Sequence, residues 1–200
     1  MNMTKASPGK RIWAWVLTAA LAVSLAVPLL TPAARAAEEY DTAGAASFVF
    51  SDSGITAAEG DYSGCKIDGT ALTIQDAGVS SVSGSCADGS IKVKKGVTGV
   101  TLILSGLTLT SADTAPITCA KSTGVTIAAA AGTVNTLTDS AKNNDETYPD
   151  NENAENAVIK CKDGSQVTIC GTGTLKLRAN GKNGIKSGAT TDTEGEAWLK

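Results

Sequence analysis

Histidine is absent from all 200 residues. The commonest general base and the commonest transition-metal ligand are therefore missing together. Aromatic residues make up only 4% of the chain. Beyond residue 36 they reduce to Tyr40, Phe48, Phe50, Tyr62, Tyr148 and Trp198, too few for a row of exposed rings on which neutral sugars could stack. Arginine is almost as scarce, Arg178 being the only one after residue 36. The five cysteines, Cys65, Cys86, Cys119, Cys161 and Cys170, show no zinc-ligand spacing. Their odd number leaves at least one thiol free. In an exported chain Cys65–Cys86 is the expected disulfide, while Cys119 and Cys161 read as small buried hydrophobes.

The first 36 residues have the order of a signal peptide. Lys5, Lys10 and Arg11 precede an apolar run from Ile12 to Leu30, and Ala34-Arg35-Ala36 supplies a small-x-small site with cleavage expected after Ala36. The alternative is an uncleaved anchor, since the run approaches spanning length. With cleavage the protein is secreted or displayed at the cell surface, with no stable membrane insertion. Cleavage removes Lys5, Lys10, Arg11 and Arg35 and no acid, so the formal net charge moves from −3 to −7. An acidic chain with one arginine is a poor nucleic-acid binder.

What is abundant is short alternation. Val100-Thr101-Leu102, Leu107-Thr108-Leu109 and Ile117-Thr118-Cys119 form one set of three runs. Val125-Thr126-Ile127, Asn135-Thr136-Leu137 and Ile159-Lys160-Cys161 form a second. Val167-Thr168-Ile169, Leu175-Lys176-Leu177 and Ile185-Lys186-Ser187 form a third. Each run has the period of a strand with one buried face. A polar insert from Ser140 to Asn156 lengthens the second set; without it the repeat is constant. A unit of three short strands recurring at this length predicts a parallel β-solenoid, in which no unit buries its own inward side chains and stacking makes the core.

A preceding unit is expected from Leu72–Ile74, Val79–Val82 and Ile91–Val93, giving about four rungs. Stacking then predicts three apolar columns: Leu72, Val100, Val125 and Val167; Ile74, Leu102, Ile127 and Ile169; Ile91, Ile117, Ile159 and Ile185. Val93, Cys119, Cys161 and Ser187 form a fourth. Lys92, Lys160, Lys176 and Lys186 are expected to face solvent as ordinary strand residues. The domain plan is a signal peptide over 1–36, a linker and N-terminal cap over 37–60 with Phe48 and Phe50 covering the apolar end, and the repeat domain over 61–200. Ala197–Lys200 reads as the opening of a further strand, so the C-terminus is expected to be truncated.

The insert is different in kind. Asp139, Asp145, Glu146, Asp150, Glu152 and Glu155 crowd around one lysine, Lys142, with several asparagines among them. Carboxylate and amide oxygens suit a hard cation such as calcium. Asp139, Asp145, Glu146, Asp150 and Glu152 are the candidate metal ligands, and the alternative is a solvated loop that adds only solubility.

Asp68-Gly69-Thr70-Ala71-Leu72-Thr73-Ile74 resembles the opening motif of a family of exported carbohydrate-binding β-helix proteins of clostridial type. Gly132-Thr133-Val134-Asn135-Thr136-Leu137-Thr138-Asp139, Gly171-Thr172-Gly173-Thr174-Leu175 and Asn183-Gly184-Ile185-Lys186-Ser187 are similar to later parts of it. The resemblance spans roughly residues 47 to 190. It implies an all-β, right-handed parallel β-helix of pectate-lyase type, calcium as the bound ion, and acidic polysaccharide bound without cleavage. Three functions follow for testing. The first is a non-catalytic module for a polygalacturonate-like glycan, with calcium bridging acidic protein to acidic sugar. The second is a structural or adhesive surface protein. The third is a polysaccharide lyase using Arg178, Lys176 or Lys186 as base, against which stands the lack of an evident acid–base pair.

Overall fold

The protein is described by a computed structural model covering residues 44–144, 146–151, 154, 156–188 and 198–199. The expected signal peptide and residues 37–43 of the expected linker lie outside them. Every regular element among the described residues is a strand, so the domain is all-β.

Two antiparallel hairpins come first: β1 (Ala46–Ser51) with β2 (Gly54–Glu59), and β3 (Cys65–Asp68) with β4 (Ala71–Ile74). Then follow β5 (Gly78–Cys86), β6 (Ser90–Val93), β7 (Val100–Ser111), β8 (Ile117–Cys119) and β9 (Gly124–Ala129). β10 (Val134–Asp139), β11 (Ala157–Cys161), β12 (Gln166–Gly171), β13 (Thr174–Arg178), β14 (Asn183–Lys186) and β15 (Trp198–Leu199) complete the order. Apart from the two hairpins, the pairings among the described strands are parallel. A nine-stranded sheet runs β15-β12-β9-β7-β5-β1-β2, with β10 beside β7 and β13 beside β10. A six-stranded sheet runs β14-β11-β8-β6-β4-β3.

The isoleucine column is present as expected. Ile91 pairs with Ile117, Ile117 with Ile159, and Ile159 with Ile185. The first three are fully buried, each worth about 2 kcal/mol of apolar burial. β-Branched side chains suit this flat parallel surface. Val100, Val125 and Val167 align, as do Leu102, Ile127 and Ile169. Leu109, Leu137 and Leu177 form another file.

Two expectations need correction. Leu72 and Ile74 do not head the Val100 and Leu102 columns. They lie in the six-stranded sheet, opposite Ile91 and Val93. Their place beside Val100 and Leu102 is taken by Gly78 and Ser80 of β5. The first unit therefore lies one strand out of step with the expected order, because an isolated Leu-Thr-Ile carries the same alternation whichever sheet it joins. The runs Val100–Leu102 and Leu107–Leu109 are likewise one continuous strand, β7, bent at Gly106 (φ +82). Its first half pairs with β9 and its second with β10. β5 bends in the same way at Gly84 (φ +93), where a Cβ would overlap the carbonyl oxygen of Phe50, so only glycine fits.

Phe48 and Phe50 are buried within β1, which pairs parallel with β5. Tyr62 stands edge-on to Phe48 at 6.4 Å between ring centroids. The strand expected near Ala197–Lys200 is present as β15, parallel to β12.

All five cysteines are free thiols. The expected Cys65–Cys86 bridge is absent because Cys65 sits in the six-stranded sheet opposite Ile74, while Cys86 sits in the other sheet opposite Leu109. Val93, Cys119 and Cys161 do stack in file. A hydrogen bond that the Cys119 thiol donates to Cys161, together with burial, holds the Cys119 thiol well above the ordinary value. Alkylation of the native protein therefore modifies Cys65 and Cys170 slowly and spares Cys86, Cys119 and Cys161, with all five reacting in denaturant; peptide mass mapping reads the pattern.

Candidate functional site

The corner that follows β1, β5 and β10 is built on aspartates. Asp52 accepts a hydrogen bond from the Ala87 amide at 2.7 Å, and Asp88 accepts one from the Ala112 amide at 3.0 Å. Asp139 repeats the device. Its Oδ1 accepts from the amides of Asn180 and Gly181 at 2.6 and 3.1 Å, and Asn180 Nδ2 donates back to the Asp139 carbonyl at 2.8 Å. Each carboxylate satisfies backbone donors at the neighbouring corner, which short polar side chains do in turns generally. Asp139 is buried for this reason.

The other candidate metal ligands are only partly among the described residues. Glu146 and Asp150 are exposed, and Asp145 and Glu152 lie outside the described residues. Among the described residues no group of three or more Asp, Glu, His or Cys side chains is placed to hold a metal ion. One feature does suit a hard cation. The Asn143 amide lies beside Asp139, with Nδ2 at 3.5 Å from Oδ2 and at 3.1 Å from the Ala157 carbonyl. Its Oδ1 is buried with no hydrogen-bond partner among the described residues, and an orphaned buried oxygen calls for an explanation. Among the described residues the insert is tied within itself by Asn156 N to Asn143 O at 2.6 Å and to the turn after β7 by Asn151 Nδ2 to Asp113 O at 3.0 Å.

The opposite chemistry is concentrated on the six-stranded sheet. Its outward column reads Lys66, Thr73, Lys92, Thr118, Lys160 and Lys186 on successive strands. At the corner beside it the chain repeats one backbone pattern. The amides of Lys94, Ala120 and Lys162 donate to the carbonyls of Ile74, Val93 and Cys119 at 2.9, 3.2 and 2.8 Å. Two residues later Gly96, Ser122 and Gly164 all take positive φ, at 80°, 58° and 69°. Lys94-Lys95, Ala120-Lys121 and Lys162-Asp163 are therefore stacked side by side. The result is a cleft of about 620 Å³ into which Lys66, Lys92, Lys94, Lys95, Lys121 and Lys162 project. Thr73 and Ala120 complete its lining, which among the described residues includes no aromatic ring.

Lys121 pairs with Asp163 at 2.9 Å and Lys66 with Asp68 at 3.5 Å, both in exposed positions where ion pairs contribute little. Lys92, Lys160, Lys176 and Lys186, expected as plain solvated residues, differ from one another. Lys176 is exposed, but Lys160 is buried and Lys92 and Lys186 are half-buried. The corner lysines were not singled out. The register that aligns the isoleucines would have found them, carried three residues further along each unit.

A family model described as carbohydrate-binding domain-containing protein matches residues 68–195. Searches of curated proteins and of solved structures returned no match.

Proposed function

We propose, because this chain belongs to the carbohydrate-binding domain-containing family, that it is an exported, non-catalytic binding protein for an acidic, polygalacturonate-like polysaccharide. The family supplies the carbohydrate partner. The observation that carries the acidic character is the lysine cleft: six cationic side chains collected on one face of a chain whose formal net charge is −3. Lys121 and Lys66 already meet Asp163 and Asp68, and an anionic ligand adds to that compensation across the cluster as a whole. The absence of aromatic rings from that lining supports the same choice over a neutral glycan.

The finer fold reading is a right-handed parallel β-helix of about four coils. It is supported by the parallel files of Ile91, Ile117, Ile159 and Ile185 and of Val100, Val125 and Val167. Calcium is proposed at the insert, with Asp139, Asp145, Glu146, Asp150 and Glu152 as the ligand set. The orphaned Asn143 oxygen beside Asp139 supports it.

Titration calorimetry with oligogalacturonate and with a neutral cello-oligosaccharide tests this reading. Heat is expected from the first ligand only, and incubation with pectate should generate no unsaturated-uronate absorbance. No binding of oligogalacturonate, with or without added calcium, rejects the acidic-glycan assignment.

A further inference from the structure

Resting on the acidic-glycan reading, we infer that the lysine cleft binds the glycan by direct ammonium–anion pairs, without a bridging metal, and that the sugar chain runs across the strands rather than along them. The geometry points this way through two parallel rows of cations. Lys66 and Lys92 stand two strands apart in one outward column, which places them roughly 10 Å apart along the stacking direction at the usual strand spacing. Lys94, Lys95, Lys121 and Lys162 form the second row, at successive equivalent corners. Both rows run perpendicular to the strands. A linear polymer with an anionic group on each sugar meets cations continuously only if it lies in that direction. Laid along one strand and its corner it would meet at most three, Lys92, Lys94 and Lys95.

The residue types agree. Lysine is a flexible point charge with three rotatable donors, whereas arginine imposes a planar, bidentate geometry. A groove lined by lysine alone therefore selects for the density and spacing of anionic charge. Carboxylates of uronates and sulfate esters share that chemistry. Thr73, in the same column, offers a hydroxyl to sugar oxygens.

The inference differs from calcium bridging in a measurable way. A bridged complex needs protein carboxylates turned to the ligand, and the two beside this cleft, Asp163 and Asp68, are instead paired with Lys121 and Lys66. The test uses the full chain, with oligogalacturonate and a sulfated oligosaccharide of similar length as probes, in buffer with EDTA. The Lys94→Ala/Lys95→Ala variant changes two exposed corner positions, and Lys94→Arg/Lys95→Arg keeps the charge. Lys176→Ala/Lys182→Ala removes the same charge elsewhere.

The alanine cleft variant is expected to lose about tenfold or more in affinity and to show a weaker salt dependence than the parent. The arginine variant should stay within about threefold of the parent, and the remote pair should be near the parent. The probe bound more tightly identifies carboxylate or sulfate as the preferred anion. Unchanged oligogalacturonate affinity in the cleft variant, or loss of parental binding in EDTA, overturns this inference and leaves the acidic-glycan reading standing. Binding of the neutral sugar alone, or of no glycan, overturns both. Thermal melts of each variant confirm that folding is intact.

Discussion

Asn135→Leu lowers the free energy of unfolding by about 4 kcal/mol, although leucine would continue the apolar alternation on either side. Asn135 faces the core and is fully buried, in register with Leu175 on the next strand. Its Oδ1 accepts from the amides of Gly106 and Leu107, both at 2.9 Å, where β7 bends. Its Nδ2 donates to Thr133 Oγ1 at 3.0 Å and to the Thr174 carbonyl at 3.3 Å. One side chain thus supplies what the bend takes away from the ladder on one side and ties β10 to the start of β13 on the other. Leucine leaves two amides and a carbonyl without partners, and unmade buried hydrogen bonds cost about 1–3 kcal/mol each. Urea unfolding followed by circular dichroism measures the loss. Hydrogen exchange at Leu107 should accelerate together with it. A loss under about 1 kcal/mol would mean that water or a shifted backbone replaces the side chain.

Asp139→Ala costs about 3 kcal/mol, by a related mechanism with a second readout. The carboxylate holds two backbone amides, at Asn180 and Gly181, through charge-assisted bonds. Asp139→Asn keeps the shape and one acceptor oxygen and should lose about half as much. Calcium titration separates the structural role from the proposed metal role. If Asp139 caps the corner and also ligates the ion, added calcium raises the melting temperature of the parent, and Asp139→Ala loses that increment as well as its basal stability. If calcium stabilises parent and variant equally, Asp139 serves the corner alone and the ligand set shrinks to the other carboxylates of the insert.

The sequence disclosed the strand repeat and the isoleucine file because identical or similar residues return at equivalent positions, and burial on a parallel sheet selects strongly for them. It misled at Leu72–Ile74, where three alternating residues fit either sheet and only the pairing partners decide. It also pointed to Asp139 through its acidic company. What that company does not reveal is the structural role Asp139 shares with Asp52 and Asp88, far away in sequence, because all three cap equivalent corners. Asn135 was matched to the leucines around it because its polar role depends on a bend in β7 that alternation does not reveal. The lysine cleft escaped because its members are scattered from Lys66 to Lys162 and adjoin only when the units are laid side by side.

The insert has a practical corollary. Ile117 and Ile159 remain paired although the segment from Ser140 to Asn156 lies between their strands. Cross-strand partners are thus indifferent to how much chain is spooled out at that corner, since closure entropy grows only slowly with length. The site is a natural place to graft a foreign epitope or a protease-cleavable tag, provided that Asp139 and the Asn143–Asn156 clasp are kept as the two posts of the graft.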